Sequence, residues 1–153
     1  MRFLLDEDVP VQLLEPLRRL MPEHSIDHVE TLGWKGKKDR FLLPDAARRG
    51  YDTLITNDSA QLKDENECRA IRDSGLHHIR YTHDTKRGVD GLALAMAAVM
   101  GALRQVARDL NEASGQRLVE IRALRPDKRH TIVDPSTDPP PYWPRKPSPR
   151  RRR

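Results

Sequence analysis

Four aspartates in the first sixty residues follow apolar runs or begin a helix pattern, and their carboxylates could act together. Asp6 and Asp8 come directly after the apolar run Phe3–Leu5. Asp39 begins a predicted helix, and Asp58 follows a second apolar run. Carboxylate oxygens are the ligands that Mg²⁺ and Mn²⁺ prefer, and such ions keep waters for substrate phosphates. Asp at strand ends and helix starts is also ordinary turn and cap chemistry, so the spacing leaves both interpretations open.

A metal held by these carboxylates would favour hydrolysis of phosphate esters. The ion lowers the pKa of a bound water and offsets the negative charge that develops on the phosphate. No protein nucleophile is required, and the chain offers no obvious one. Its single cysteine, Cys68, lies on an ordinary helix pattern, and no Gly-x-Ser-x-Gly sequence is present. Clustered carboxylates also repel one another, which predicts a raised pKa for at least one of them.

A basic loop with one aromatic residue stands directly before Asp39. It contains Trp34, Lys35, Lys37 and Lys38. A stacking ring beside several cations is what single-stranded RNA binding needs. As an ordinary solvated loop it would need no function, and both interpretations stay open.

The elements that must position these residues alternate between strands and helices. Strands are predicted at Phe3–Leu5, Ser25–Val29, Thr53–Thr56, Leu76–Tyr81, Leu118–Ala123 and Thr131–Val133, and helices at Leu13–Leu20, Asp39–Gly50, Lys63–Asp73 and Gly91–Ala113. Pro16 and Pro44 interrupt the first two helix patterns and predict a kink or a later start. The alternation predicts an α/β three-layer fold with a mainly parallel sheet, in which ligands bind at the carboxyl ends of the strands.

The positive charge of the chain is concentrated at its end. The last nine residues carry six cations and no acid, so the net charge of +5 falls to −1 for residues 1–144. From Asp134 onward, prolines alternate with polar and basic residues and no apolar periodicity remains. We therefore expect one domain over residues 1–133 and a disordered, basic, Pro-rich tail over residues 134–153.

Signals for export or membrane insertion are not evident in the sequence. Three acids follow the first apolar run, before a signal-peptide core could form. The weakly polar stretch Leu92–Leu103 is too short to cross about 30 Å of hydrocarbon. The single cysteine excludes an internal disulfide and a multi-cysteine zinc site. A cytoplasmic protein without a membrane partner is expected.

Three stretches of the chain resemble a known family. They are the opening Phe3–Pro10, the pair Leu32-Gly33 followed by Asp39–Ala47, and the strand with its exit, Leu54–Asp58. These stretches are similar to the PIN-like family of small nucleases, commonly assigned as the toxin half of bacterial toxin–antitoxin pairs. The resemblance covers roughly residues 1–123, with specific motifs in the first sixty or so.

The resemblance implies roles for individual residues. Asp6 would be a direct metal ligand, Asp39 and Asp58 match further acids of the motif, and Asp8 stands where the family usually has Asn. The family often continues as Asp-x-Asp-Phe, whereas this chain continues from Asp58 as Ser-Ala-Gln-Leu. The fourth carboxylate is therefore missing. Either Ser59 or Asp64 replaces it, or the site binds one metal weakly, or activity is lost.

The resemblance implies a metal-dependent endoribonuclease that uses Mg²⁺ or Mn²⁺. The expected site is Asp6, Asp8, Asp39 and Asp58, with Trp34, Lys35, Lys37 and Lys38 contacting the substrate. The expected partners are RNA and a cognate antitoxin protein, and a homodimer is left open. Two alternatives remain: a catalytically impaired module that binds RNA or a partner, and a hydrolase of small phosphorylated metabolites.

Overall fold

The computed structural model describes residues 1–58, 60–124 and 137. Strands and helices alternate along these residues: β1 Arg2–Leu5, α1 Leu14–Leu20, β2 Ser25–His28, α2 Asp39–Arg48, β3 Thr53–Thr56, α3 Glu65–Ser74, β4 His77–Tyr81, α4 Gly88–Asn111 and β5 Leu118–Ile121. The predicted strand Thr131–Val133 and the boundary at residue 134 lie outside the described residues, so the division into domain and tail stays a prediction.

The strands form one parallel sheet in the order β2-β1-β3-β4-β5. Because every strand runs in the same direction, their carboxyl ends meet at one edge. Leu5, the last residue of β1, is in register with His28 of β2 and Ile55 of β3. The residues that follow β1 and β3 are therefore neighbours at that edge, as the sequence pattern predicts.

Helices cover both faces of the sheet, which confirms the predicted three-layer α/β fold. Phe3 and Leu5 pack into a core with α1 and α4, and Leu4, between them, packs into a second core with α2 and α3. Side chains alternate across a strand, so a strand buried on both faces is apolar along most of its length. The fully apolar run Phe3–Leu5 fits this pattern.

Pro16 and Pro44 occupy different positions in their helices. A short 3₁₀ turn, Val11–Leu13, precedes α1, which places Pro16 in the first turn of the helix. Proline is tolerated there because the first N–H groups have no partner within the helix. A later start is one of the two outcomes expected at Pro16, and α1 begins at Leu14, one residue after the predicted start. Pro44 lies inside α2, which nevertheless runs unbroken from Asp39 to Arg48.

Helix α4 corrects the expectation drawn from the stretch Leu92–Leu103. The helical segment Thr85–Asn111 is long and apolar enough to span a membrane by length and composition, with a mean hydropathy of 1.4 over its most apolar window. The apolar character continues past Leu103 through Val106 and Ala107. In this fold Val99, Leu103 and Ala107 of the same helix pack against the sheet.

Candidate acidic active site

A cavity of about 460 Å³ opens at the carboxyl edge of the sheet, where β1 and β3 end. Six acidic residues contribute to its lining: Asp6, Glu7, Asp8, Asp39, Asp58 and Glu67. Gly36, Lys37, Lys38 and Gln61 complete the lining. All four aspartates singled out from the sequence therefore share one cavity, which we call the acidic cavity.

Backbone and side-chain hydrogen bonds fix the segment that follows β1. The Asp6 N–H donates to the Ile55 carbonyl at 2.9 Å, which extends the pairing of β1 with β3 by one residue. The Asp6 Oδ1 accepts the Glu7 N–H at 2.8 Å. Buried His28 accepts the Glu30 N–H at Nδ1, so its Nε2–H donates to the Val9 carbonyl at 2.7 Å. This loop is therefore tied to both neighbouring strands.

The other aspartates are held by the ends of β3 and α2. The Asp8 carboxylate accepts the Thr56 hydroxyl at 3.1 Å and the Asn57 N–H at 3.2 Å. Asp58 accepts the Ala60 N–H at 2.7 Å, which is turn chemistry. Asp39 is the first residue of α2, where the helix dipole favours a negative charge.

A buried amide joins two of the carboxylates. Gln61, with 3% of its surface exposed, donates from Nε2 to the Asp39 Oδ2 at 2.8 Å and to the Asp6 Oδ2 at 3.3 Å. Its Oε1 faces the Nε2 of buried His78 at 3.0 Å. Neither Gln61 nor His78 is among the site residues predicted from the sequence. The one signal that could have indicated Gln61 is its place in the stretch where the chain departs from the family pattern.

Burial and mutual repulsion raise the pKa values of the carboxyl groups. Burial raises the pKa of Asp6, and the hydrogen bonds that Asp6 accepts oppose this shift. The pKa of Asp8 is raised to about 6 by burial and by the charge of Asp6. The pKa of Asp39 is also raised to about 6, by burial and by the charges of Asp6 and Glu67. Burial and the neighbouring carboxylates thus disfavour the charged forms of these three groups, and a bound cation would stabilise those forms.

These raised pKa values predict how the metal-free protein responds to pH. Because Asp8 and Asp39 bind protons more tightly when folded, their contribution to stability is fully present below pH 3.8 and is lost as the pH rises through about 6. We expect Asp39→Asn to raise the melting temperature relative to the wild type at pH 7.5 and to leave a smaller difference at pH 4.5. Thermal melts in EDTA from pH 4.5 to pH 7.5 check this prediction. A difference in melting temperature that stays constant over this range would contradict it.

Of the two proposed replacements for the missing acid, Asp64 already has a structural role. Its Oδ1 accepts the N–H groups of Asn66 and Glu67 at 2.9 and 3.0 Å, so it caps α3. Ser59 lies outside the described residues. Glu67, which is not among the site residues predicted from the sequence, lines the acidic cavity from the first turn of α3. Its pKa is raised by desolvation and by the charges of Asp64 and Asp58. Glu67 is therefore an additional acid at the site.

The chemical type of the available ligands suits a hard divalent cation, because carboxylate oxygens dominate the acidic cavity. Across residues 1–58 and 60–124, however, no group of three or more His, Cys, Asp or Glu side chains is arranged to hold a metal ion. An ion held by three of these carboxylates would therefore draw them closer together than they stand in the structure, whereas an ion held by one or two carboxylates and waters needs no such change.

Only some of the lysines of the basic loop lie at the acidic cavity. Lys37 and Lys38 line the cavity. Lys35 instead pairs with Glu30 at 3.6 Å, and Lys37 also forms an ion pair with Asp45. Within the described residues, Lys38 forms no ion pair, so it is the more available cation at the rim.

Trp34 is engaged by other parts of the protein. Its side chain packs against the core that contains α2 and α3. The Lys37 ammonium lies 4.6 Å and the Arg49 guanidinium 4.4 Å from the centre of its ring. A nucleobase stacking on this ring would compete with these cations. Trp34 and Lys35 are not among the residues that line the acidic cavity.

A comparison with known protein families matches residues 1–82 to the family described as a PIN like domain. The matched range is more than half of the chain and contains every residue that lines the acidic cavity. No curated protein and no solved structure matches the chain.

Proposed function

Because the chain belongs to the PIN-like domain family, which is of the nuclease type, we propose that it is a metal-dependent endoribonuclease. The observation that carries the proposal is the acidic cavity. Six acidic residues line it at the carboxyl edge of the sheet, and burial and mutual repulsion raise the pKa values of Asp6, Asp8 and Asp39.

Asp6, Asp39 and Asp58 would hold the metal, with Asp8 and Glu67 beside them. Bound Mg²⁺ or Mn²⁺ would lower the pKa of a water and offset the charge on the phosphate. The protein's own contribution is to hold the carboxylates on fixed elements, the ends of β1 and β3 and the start of α2. Lys38 at the rim attracts the phosphate backbone, and Lys37 adds to the positive charge there.

The proposal extends to the biological role of the protein and to its partners. We propose that the chain acts as the toxin of a bacterial toxin–antitoxin pair, in the cytoplasm, with RNA as substrate and an antitoxin protein as partner. The role and the partners are supported by the resemblance of Phe3–Pro10 and Leu54–Asp58 to motifs of that group.

One alternative has two specific observations in its favour. Ala60 stands where the family pattern often has its further aspartate, and no ready group of three metal ligands is found in the described part of the chain. Both facts favour a module that binds RNA or a partner without cleaving RNA. Glu67 weighs against this alternative, because it returns an acid to the cavity from a different element.

The proposal is tested with the full chain and a labelled single-stranded RNA of mixed sequence. We expect internal cleavage with Mn²⁺ or Mg²⁺ and none with EDTA. RNA binding without cleavage under any metal condition would support the non-catalytic module. Hydrolysis of p-nitrophenyl phosphate without RNA cleavage would support the metabolite hydrolase. Either result would contradict the proposed function.

A further inference from the structure

Two buried polar residues, one in the lining of the acidic cavity and one behind it, form a connected chain of hydrogen bonds. We propose that Gln61 is a positioning residue that holds Asp6 and Asp39 together, and that His78 fixes the orientation of its amide. The inference rests on the proposed function in taking these aspartates as ligands of the nuclease metal. The geometry itself is testable in the metal-free protein.

The orientation of the Gln61 amide follows from the acceptors around it. One end of the amide faces the Oδ2 atoms of Asp6 and Asp39, and the other end faces His78. A carboxylate can only accept, so the NH₂ group must lie at the aspartate end. The amide oxygen then faces His78 and requires a donor there, which is the His78 Nε2–H.

His78 is suited to supply that single donor. It lies on β4 with 1% of its surface exposed, and its Nδ1 is buried without a hydrogen-bond partner in the described structure. Burial, with the charge of Arg80, lowers the pKa of His78 to about 4, so the ring is neutral at pH 7. A neutral imidazole carries one N–H, and Nε2 is the nitrogen that has an acceptor. The proton therefore belongs on Nε2.

A neutral donor at this place has a specific effect on the two carboxylates. Both N–H groups of one amide draw Asp6 and Asp39 to the same point without adding charge. An acid at position 61 would instead add a third negative group. Each carboxylate oxygen has two lone pairs, so Oδ2 can accept an N–H and still bind an ion. Gln61 thus fits a role in arranging the ligands rather than in blocking them.

Nitrogen NMR on the full, metal-free chain tests the orientation directly. We expect long-range ¹H–¹⁵N correlations to show His78 protonated at Nε2 and bare at Nδ1 at pH 7. A proton on Nδ1 alone would overturn the inference. In that case Nε2 would accept from Gln61, and the amide oxygen would face the aspartates.

Calorimetric titration with Mn²⁺ alone tests the positioning role. Gln61→Met keeps the length of the side chain and removes both N–H donors. We expect it to weaken Mn²⁺ binding by roughly 10–100-fold, the usual cost of losing a partner that orients a metal ligand. His78→Met should weaken binding in the same direction, whereas His78→Gln, whose amide N–H can replace Nε2–H, should restore it. Failure of this rescue, or Mn²⁺ binding unchanged by Gln61→Met, would overturn the inference.

A matched control separates this role from a general loss of an amide. Gln105 on α4 donates from Nε2 to the Asp109 Oδ1 at 2.8 Å, outside the acidic cavity, and Gln105→Met should leave Mn²⁺ binding unchanged. If Gln61→Met or His78→Met does not fold, the wild-type NMR result and His78→Gln still decide. None of these measurements uses RNA. If the NMR and Mn²⁺ results are as expected but RNA is not cleaved, the proposed function is refuted and the positioning role of Gln61 stands.

Discussion

Asp6→Asn is expected to reduce metal-dependent RNA cleavage by more than the roughly 10–100-fold that loss of a ligand-orienting partner costs. Asn keeps the shape of the side chain and an oxygen for the Glu7 N–H, but it removes the charge that raises the pKa values of both Asp8 and Asp39. The metal-free melting temperature should stay the same or rise, because burial and neighbouring carboxylates disfavour that charge. Cleavage rates with Mn²⁺ and thermal melts in EDTA measure the two effects.

The control for this variant is Asp109→Asn. Asp109 is exposed on α4 and accepts from Gln105, away from the acidic cavity. It should cleave RNA at the wild-type rate. Equal cleavage by Asp6→Asn and the wild type would contradict the assignment of Asp6, whereas loss of cleavage with a lower metal-free melting temperature would indicate a folding defect instead.

Gly91→Ala is expected to destabilise the protein by about 1–3 kcal/mol or more, the usual range for overpacking. A Cβ at this position would overlap the backbone carbonyl oxygen of Asp84, and backbone cannot rotate away as a side chain can. The helix α4 would have to shift relative to the turn that precedes it. Urea denaturation monitored by circular dichroism measures the loss.

Gly101 offers a matched comparison on the same helix. A Cβ there meets no atom within 4 Å, so Gly101→Ala should stabilise the protein by up to about 1 kcal/mol through helix propensity. The two substitutions are chemically identical and should have opposite signs. If Gly91→Ala were as stable as Gly101→Ala, the close approach of Asp84 to α4 would be wrong.

The positions of the aspartates could be predicted because they depend on a short chain of reasoning. Phe3–Leu5 and Thr53–Thr56 are apolar enough to be buried strands, and alternation with helices makes the sheet parallel. Parallel strands place their carboxyl ends together, so Asp6 and Asp58 must lie at one edge. The start of a predicted helix adds Asp39, and the structure places all three in one cavity.

The rest of the site depends on side-chain directions that a linear pattern does not contain. Gln61 lies on a short 3₁₀ turn, where no periodicity tells which way a side chain points. Asp64 and Glu67 are three residues apart at the start of α3, yet one caps the helix and the other lines the acidic cavity. Local hydrogen bonding decides between these roles.

Contacts with residues distant in sequence determine the surroundings of Trp34, the aromatic residue of the basic loop. Trp34 and Arg49 are fifteen positions apart, and their contact arises only because α2 returns the chain beside the loop. The local pattern of one ring among lysines predicts a stacking platform for RNA. The fold supplies a further cation and a core contact for the same ring, and neither is visible in the local sequence.

The position of a bound metal is measured by locating Mn²⁺ in crystals of the full chain through its anomalous scattering. We expect one or more peaks inside the acidic cavity, in contact with the carboxylates of Asp6, Asp39 or Asp58. The same experiment on Asp6→Asn should show the peak weakened or absent. Saturating Mn²⁺ with no anomalous peak in the cavity, or with peaks only elsewhere on the protein, would contradict the assignment of this cavity as the metal centre of a nuclease.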